Sequence, residues 1–280
     1  MADLIMLVHA PVLGPASWQP VAAELSGAGL SLPRSPDGST ARYRVAVADL
    51  TGFAAGEPPY APRLVARFSG QVAEALAGTA RGASSDDGGG PHGRGGRPRG
   101  GASSGDGADH VVLVVHSGAG PFAAQLGAAV PAARVSVIFA DAGLPARAGP
   151  TPVVDAAFLP YLRQIAHDGV VPPWPQWFPE ADPAELYPTE AARTAVLADA
   201  RPLPLSFFEE TLPAVTGPAI VSAGYLLFSA GYQQEAGQAR ERGWPVTELP
   251  GTHLHPMAAP ADVAAAIISL AAVIAAPGSP

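Results

Sequence analysis

A serine stands where an apolar run of the sequence ends. Residues 110–126 read HVVLVVHSGAGPFAAQL, so Ser117 follows five apolar residues and a histidine and precedes small residues. The frame VHSGA, residues 115–119, matches a small-x-nucleophile-x-small turn, with Val115 in place of the usual first glycine. Such a turn lifts a hydroxyl above a sheet, and the amide of Gly118 would then face a developing oxyanion. The pattern predicts a nucleophilic serine.

A serine nucleophile needs a base. The late segment LPGTHLHPM offers His253 and His255, and His253 has the better position because it follows the last apolar run most closely. The alternative interpretation of His253 is an ordinary histidine of a surface loop. The remaining histidines lie at strand ends or in apparent insertions: His9, His92, His110, His116 and His167.

An acidic residue would orient that histidine and stabilise its protonated form. The segment VIFADAGLP places Asp141 at the end of the apolar run after Ser117. The alternative acid is Glu235, in LLFSAGYQQEA, which lies closer to His253 in the sequence. Asp141 is the preferred third member of the triad, although a strand-end aspartate also commonly caps the turn that follows it.

Alternating apolar runs and helical stretches supply the elements that position these residues. Near-continuous Val, Ile and Leu predict strands covered on both faces. The strands are predicted at 4–9, 43–50, 111–116, 134–141, 219–228 and 244–249, and the helices at 61–78, 121–130, 233–243 and 261–276. Strand-helix alternation of this kind predicts a mostly parallel sheet flanked by helices, an α/β fold.

Two segments interrupt the alternation. Residues 80–109 are rich in glycine and have no large apolar side chain, which predicts a disordered insertion. Residues 145–215 carry helical pieces and the stretch VPPWPQWFPE, which predicts a helical cap between two core parts, 1–144 and 216–280. The aromatic residues of that stretch either line a substrate pocket or anchor the cap to the core: Trp174, Trp177 and Phe178.

Composition narrows the range of functions. The 280 residues carry a net charge of −8, which argues against a nucleic-acid partner. The chain has no cysteine, which excludes disulfides, thiolate catalysis and cysteine-ligated metals. The N-terminal MADLIMLVHAP lacks a basic leader, and 262–276 is too short to span a bilayer. We expect a cytoplasmic protein that binds a small acyl substrate and needs neither metal nor cofactor.

The order of these motifs resembles that of the α/β-hydrolase superfamily across nearly the whole chain. More narrowly, LVHAPVLGPASW, VHSGAGP, FADAGLP, PPWPQWFPE and GWPVTELPGTHLHPM resemble a poorly characterised group of actinobacterial hydrolases. The superfamily resemblance implies an α/β-hydrolase fold with a cap after the strand that follows the serine. It also implies a serine hydrolase, such as an esterase or thioesterase, acting through Ser117, His253 and Asp141.

The sequence departs from the superfamily pattern after the first strand. The superfamily usually has His-Gly there, whereas this chain has His9-Ala10-Pro11-Val12. Because Pro11 has no N–H, the second donor of the oxyanion hole, beside Gly118, must come from Val12, or from Ala10 if the loop is shifted. The loss of one such donor would cost about 2.7–4 kcal/mol of transition-state stabilisation.

These departures leave two alternatives to a hydrolase that cleaves an ester or thioester of a small to medium apolar substrate. One is a lyase, cyclase or acyltransferase of secondary metabolism with the same fold. The other is a catalytically silent member that binds a ligand beneath the cap. Reaction of Ser117 with a serine-directed probe separates the hydrolase from both.

Overall fold

The computed structural model describes residues 3–27, 31–33, 40–83, 110–132, 134–180, 182, 186–215, 220 and 222–275. A seven-stranded sheet forms the centre, in the order β11-β10-β5-β4-β1-β3-β2. Its strands are β1 (Asp3–Val8), β2 (Ser31–Pro33), β3 (Thr40–Ala48), β4 (His110–Ser117), β5 (Arg134–Ala142), β10 (Ser222–Leu227) and β11 (Val246–Glu248). Six of them pair in parallel, and β2 pairs antiparallel with β3 at one edge.

Helices cover both faces of the sheet. They are α1 (Gln19–Gly27), α2 (Ala61–Ala83), α3 (Ala123–Ala128), α7 (Gln233–Glu241), α8 (His255–Ala258) and α9 (Pro260–Ala275). Alternate residues of β1 pack into two separate apolar cores, with Leu4 and Met6 in one and Ile5 and Leu7 in the other. Helices α1 and α9 contribute to the second core, and α2, α3 and α7 to the first. The predicted doubly covered parallel sheet is therefore confirmed.

The chain between β5 and β10 is built from short pieces. Its described residues include the helices α4 (Leu159–Ile165), α5 (Glu190–Asp199) and α6 (Leu205–Phe208). Two pairs of two-residue strands, β6 (Thr151–Pro152) with β9 (Thr211–Leu212) and β7 (Val170–Val171) with β8 (Leu203–Pro204), hold it together. This segment coincides with the predicted cap, whose status as a separate domain stays a prediction.

Several elements differ from the sequence prediction; the strand predicted at 43–50, for example, is Thr40–Ala48. Helix α1 and strand β2 were not predicted, and the helix predicted at 61–78 extends to Ala83. Residues 80–83 of the predicted disordered insertion are therefore helical, and residues 84–109, including His92, lie outside the described residues. Within the described part of the chain, every helix is too short or too polar to span a membrane.

Candidate active site

Ser117 ends β4 in a conformation that side chains rarely adopt. Its φ angle is 55°, and the register between β4 and β5 shifts between His116 and Ser117. The turn closes through a hydrogen bond from the Ala119 amide to the His116 carbonyl (3.0 Å). A positive φ at a non-glycine residue is strained and indicates a position that the surrounding structure holds in place. The Ser117 hydroxyl is thereby presented to a cavity above the carboxyl ends of the strands.

A glycine makes this turn compatible with the neighbouring strand. A Cβ atom added to Gly120 would lie 1.9 Å from the carbonyl oxygen of Gly143, which follows β5. At Gly118 the same addition meets only the Pro11 Cδ, at 3.6 Å, an ordinary contact. The close approach therefore requires glycine at position 120, one residue beyond the VHSGA frame.

His253 is hydrogen-bonded to a buried carboxylate. Its Nδ1 atom lies 3.2 Å from Oδ2 of Asp141, whose side chain is fully buried. Because a carboxylate only accepts, Nδ1 carries the proton in this contact, and Nε2 is left to accept one. His253 also lines the cavity that contains Ser117.

The Asp141 carboxylate has further partners on the loop after β10. Oδ1 accepts the backbone amides of Phe228 (2.6 Å) and Ser229 (3.1 Å), and Oδ2 accepts the Ser229 hydroxyl (2.5 Å). Asp141 itself has a φ of 40° at the end of β5. These donors fix the orientation of the carboxylate toward His253.

Glu235, the alternative acid, lies in the first turn of α7 and lines the cavity. Within the described residues its Oε2 atom is buried without a hydrogen-bond partner, and no bond joins Glu235 to His253. Burial raises the pKa of Glu235. Of the two candidates, the structure brings Asp141 into contact with His253, and Glu235 forms part of the cavity wall.

The Ser117 hydroxyl has a partner that the sequence did not indicate. Ser117 Oγ lies 3.1 Å from the Tyr232 hydroxyl oxygen, and in the described part of the chain no hydrogen bond joins Ser117 to His253. The Tyr232 ring stacks on the His253 imidazole, with centroids 5.0 Å apart and planes 8° apart. Burial raises the pKa of Tyr232 to about 12, so its hydroxyl stays protonated. No motif of the sequence marks Tyr232 as a site residue.

The two residues predicted for an oxyanion hole lie at the same cavity. Val12 and Gly118 both line it, as does Pro11. Within the described residues neither the Val12 amide nor the Gly118 amide has a hydrogen-bond partner, so both are available to a ligand. Ala10 contributes its carbonyl to the turn, accepting from Leu13 N (2.9 Å) and His9 Nδ1 (2.7 Å). Because Val12 lines the cavity and Ala10 is not among the residues of its wall, Val12 fits the second donor position better than Ala10.

His116 packs directly against His253. The two rings stack with centroids 4.5 Å apart, and His116 Nε2 bonds to the His253 carbonyl oxygen (3.1 Å). Burial, together with the neighbouring His253, lowers the pKa of His116 well below its usual range. His116 is thus a neutral support beneath His253, in agreement with a structural role.

The cavity has a volume of about 670 Å³, and its wall consists mostly of aromatic and aliphatic residues. All three aromatic residues predicted for a substrate pocket line it. The ring centroid of Trp174 also lies 6.4 Å from that of His253. Further apolar side chains come from the segment between β5 and β10: Val153, Val154, Phe158, Leu186, Phe207 and Phe208. Among the described residues, no group of three His, Asp or Glu side chains is arranged to hold a metal ion.

Solved structures that are similar to this one align over almost the whole chain. An extracellular α/β-hydrolase from a Paenibacillus species aligns over 95% of this chain and 98% of its own, with a TM-score of 0.63 and 15% identity. A pyrethroid hydrolase from Sphingobium faniae JZ-2 aligns over 97% and 98%, with a TM-score of 0.61 and 19% identity. The protein has the α/β-hydrolase fold.

Not every similar α/β-hydrolase structure is named as a hydrolase. A variant of tomato methylketone synthase I aligns over 97% of this chain and 98% of its own, with a TM-score of 0.60 and 15% identity. No protein-family model and no curated protein matches the sequence. Because all three identities are low, the similarity defines the fold alone, and the resemblance to an actinobacterial group stays a prediction.

Proposed function

We propose that the protein is a serine hydrolase that cleaves an ester or related acyl bond through Ser117, His253 and Asp141. The observation that carries the proposal is the arrangement at one end of the sheet. Ser117 is held at positive φ on the cavity that His253 lines, and a buried carboxylate bonds the far nitrogen of His253. A nucleophile, a base and an orienting acid on one cavity are the groups that acyl transfer needs.

In the proposed reaction the Ser117 hydroxyl attacks the acyl carbon and passes its proton to His253 Nε2. The Val12 and Gly118 amides, free of other partners in the described residues, donate to the oxygen that becomes negative. Water then attacks the acyl-enzyme with the same histidine as base. Before the first step the Ser117 hydroxyl must exchange its hydrogen bond with Tyr232 for one with His253.

The cavity favours a small to medium apolar acyl group. Its volume of about 670 Å³ lies within the range of small-molecule sites, and its wall is mostly aromatic and aliphatic. Among the described residues, Glu235 and Asp155 supply the carboxylates of the wall, and no arginine lines it. An acid substrate would therefore be disfavoured against a neutral ester.

The decisive experiment is hydrolysis of p-nitrophenyl butyrate by Ser117→Ala. We expect kcat/KM to fall by at least about 10³-fold, because the variant keeps the fold but has no nucleophile. Ser26→Ala is the matched control, since Ser26 is exposed on α1, and its activity should equal that of the wild type. Unchanged turnover by Ser117→Ala would reject the hydrolase.

One observation favours a second function, a non-hydrolytic enzyme that uses His253 without an acyl-serine. Ser117 bonds to Tyr232 instead of His253, and the similar structures include a methylketone synthase. On this reading His253→Ala abolishes activity toward the natural substrate whereas Ser117→Ala retains it. Loss of activity in both variants supports the hydrolase.

A further inference from the structure

Tyr232 touches the atom that would attack the substrate. Its hydroxyl lies 3.1 Å from Ser117 Oγ, and its ring lies parallel to the His253 imidazole. The hydroxyl therefore sits beside the point where the serine, the base and the substrate meet. A buried phenol hydroxyl at that place is available to donate to a substrate oxygen.

The position of Tyr232 is fixed by the acid that fixes His253. Tyr232 ends the short 3₁₀ turn Ala230–Tyr232, and its amide donates to the Ser229 carbonyl (3.2 Å). Ser229 in turn donates its hydroxyl and its amide to Asp141. One carboxylate thus orients both the imidazole and the loop that carries the phenol.

The strand order shows on which side of Ser117 the loop of Tyr232 lies. Val12 follows β1 and Tyr232 follows β10, and these strands lie on opposite sides of β4, which ends in Ser117. In the tetrahedral intermediate the oxyanion faces the Val12 and Gly118 amides. Tyr232 lies on the other side, where its ring stacks on His253, the group that gives the departing alcohol its proton in the proposed reaction.

We propose that Tyr232 is a further catalytic residue, whose hydroxyl donates a hydrogen bond to the alcohol oxygen of the ester as that oxygen leaves. The inference rests on the proposed function and names its substrate class, esters of alcohols that are poor leaving groups. An alkoxide gains much from a second donor because its charge is localised, whereas a p-nitrophenolate spreads its charge over the ring and gains little.

The step balances without a further reactant. As the tetrahedral intermediate collapses, the oxyanion pair re-forms the carbonyl, and the bond between the acyl carbon and the alcohol oxygen breaks. The bonding pair stays on the alcohol oxygen, which takes the proton that His253 received from Ser117. Tyr232 keeps its own proton throughout, in keeping with its raised pKa of about 12.

The test compares two esters of one acid, ethyl butyrate and p-nitrophenyl butyrate, in Tyr232→Phe. We expect kcat/KM for the ethyl ester to fall about tenfold or more, and kcat/KM for the p-nitrophenyl ester to change by less than about twofold. Both values report acylation, the step in which the alcohol leaves. Tyr232→His keeps an aromatic ring and an N–H donor, and its ethyl ester value should lie between those of wild type and Tyr232→Phe.

The matched control is Tyr225→Phe. Tyr225 is also buried, but its hydroxyl bonds to the backbone of Ala142 and it is not part of the cavity wall. Loss of the Tyr225 hydroxyl should lower the melting temperature and change kcat/KM for the two esters by the same factor. Equal changes for both esters in Tyr232→Phe would overturn the inference, as would a rise for both, which would mean that Tyr232 only restrains the serine.

Two results keep the inference separate from the proposed function. If Ser117→Ala abolishes hydrolysis and Tyr232→Phe affects both esters equally, the hydrolase stands and the role of Tyr232 falls. If Tyr232→Phe does not fold, the wild-type ratio of kcat/KM for the two esters decides. We expect kcat/KM for the p-nitrophenyl ester, divided by kcat/KM for the ethyl ester, to be smaller than the same ratio of rate constants for hydrolysis of the two esters by hydroxide. A larger ratio for the enzyme would overturn the inference.

Discussion

The sheet and the segment between β5 and β10 are held together in different ways. Strands β1, β4 and β5 are buried along almost their whole length. In the described part of the segment, the helices α4, α5 and α6 have 7, 10 and 4 residues, and the strands have two residues each. Its short strand pairs are joined by aromatic contacts, such as those of Trp177 with Phe158 and Phe208.

The difference separates two tasks. Ser117 and Asp141 end neighbouring buried strands, and the loops of His253 and Tyr232 are hydrogen-bonded to those strand ends. The segment supplies most of the apolar cavity wall. Substitutions at the strand ends should therefore change the chemical step or the folding, whereas substitutions in the segment should change substrate binding.

The largest effect is expected at the end of β5. Asp141→Asn should lower kcat for p-nitrophenyl butyrate by about 10³- to 10⁴-fold, because an amide no longer fixes the tautomer of His253 or stabilises its protonated form. Activity and melting temperature are measured on the same preparation. If a folded variant keeps more than a tenth of its activity, Asp141 does not orient His253.

The strand-end turn gives a matched pair of glycines. Gly120→Ala should lower the free energy of unfolding by about 1–3 kcal/mol, because the new Cβ overlaps the Gly143 carbonyl. Gly118→Ala should change it by less than about 0.5 kcal/mol, since its Cβ meets only Pro11 at contact distance. Urea unfolding measures both. Equal stability of the two variants would contradict the described packing of the turn.

Two tryptophans compare the regions directly. Trp174→Ala removes part of the cavity wall, and we expect KM for an apolar ester to rise about tenfold with kcat changed much less. Trp244→Ala removes a ring that stacks on Phe139 of β5, outside the cavity wall, and should lower stability without raising KM. If KM rose for Trp244→Ala and not for Trp174→Ala, the segment between β5 and β10 would not be the part of the molecule that binds the substrate.

Acid should destabilise the strand-end region through its buried histidines. Burial lowers the pKa of His9 and of His116, so the unfolded chain binds their protons more readily than the folded protein does. The contribution of these neutral histidines to the free energy of unfolding is fully present above about pH 6.5. Below that pH the free energy of unfolding falls by up to about 1.4 kcal/mol per pH unit for each histidine. His116→Gln should reduce this slope in unfolding measured from pH 7 to pH 5. If the free energy of unfolding of His116→Gln had the same slope against pH as the wild type, His116 would not be a buried neutral histidine.

The smallest effect concerns Glu235, on the cavity wall. Burial raises the pKa of Glu235 above its value in the unfolded chain, so ionisation favours unfolding and stability is lost as the pH rises through that pKa. Glu235→Gln should raise the melting temperature slightly at pH 7 and leave it unchanged near pH 4. The control is Glu24→Gln, the same replacement at an exposed position of α1 outside the cavity wall.

Most of the sheet was predictable because its central strands are nearly continuous Val, Ile and Leu. Helix α1 was missed because QPVAAELSG has a weak amphipathic pattern, with only Val21 and Leu25 buried. The contact of Asp141 with His253 was anticipated from the place of Asp141 at a strand end. Its catalytic role, like those of Ser117 and His253, stays a prediction.

Tyr232 could not be predicted from the sequence. It lies 115 positions from Ser117, and no local pattern indicates that a phenol will reach a particular hydroxyl. The signal that was present is indirect: Ser229, three residues earlier, is a donor that suits a buried carboxylate. Only the strand order places that loop next to β5 and so brings Tyr232 to the end of β4.

The most direct test of the central claim is the site of covalent labelling by a fluorophosphonate. The account predicts one adduct per chain, located by peptide mapping on Ser117, with labelling strongly slowed in His253→Ala and absent in Ser117→Ala. A folded wild-type protein that forms no adduct, or forms it at another residue, would contradict the account.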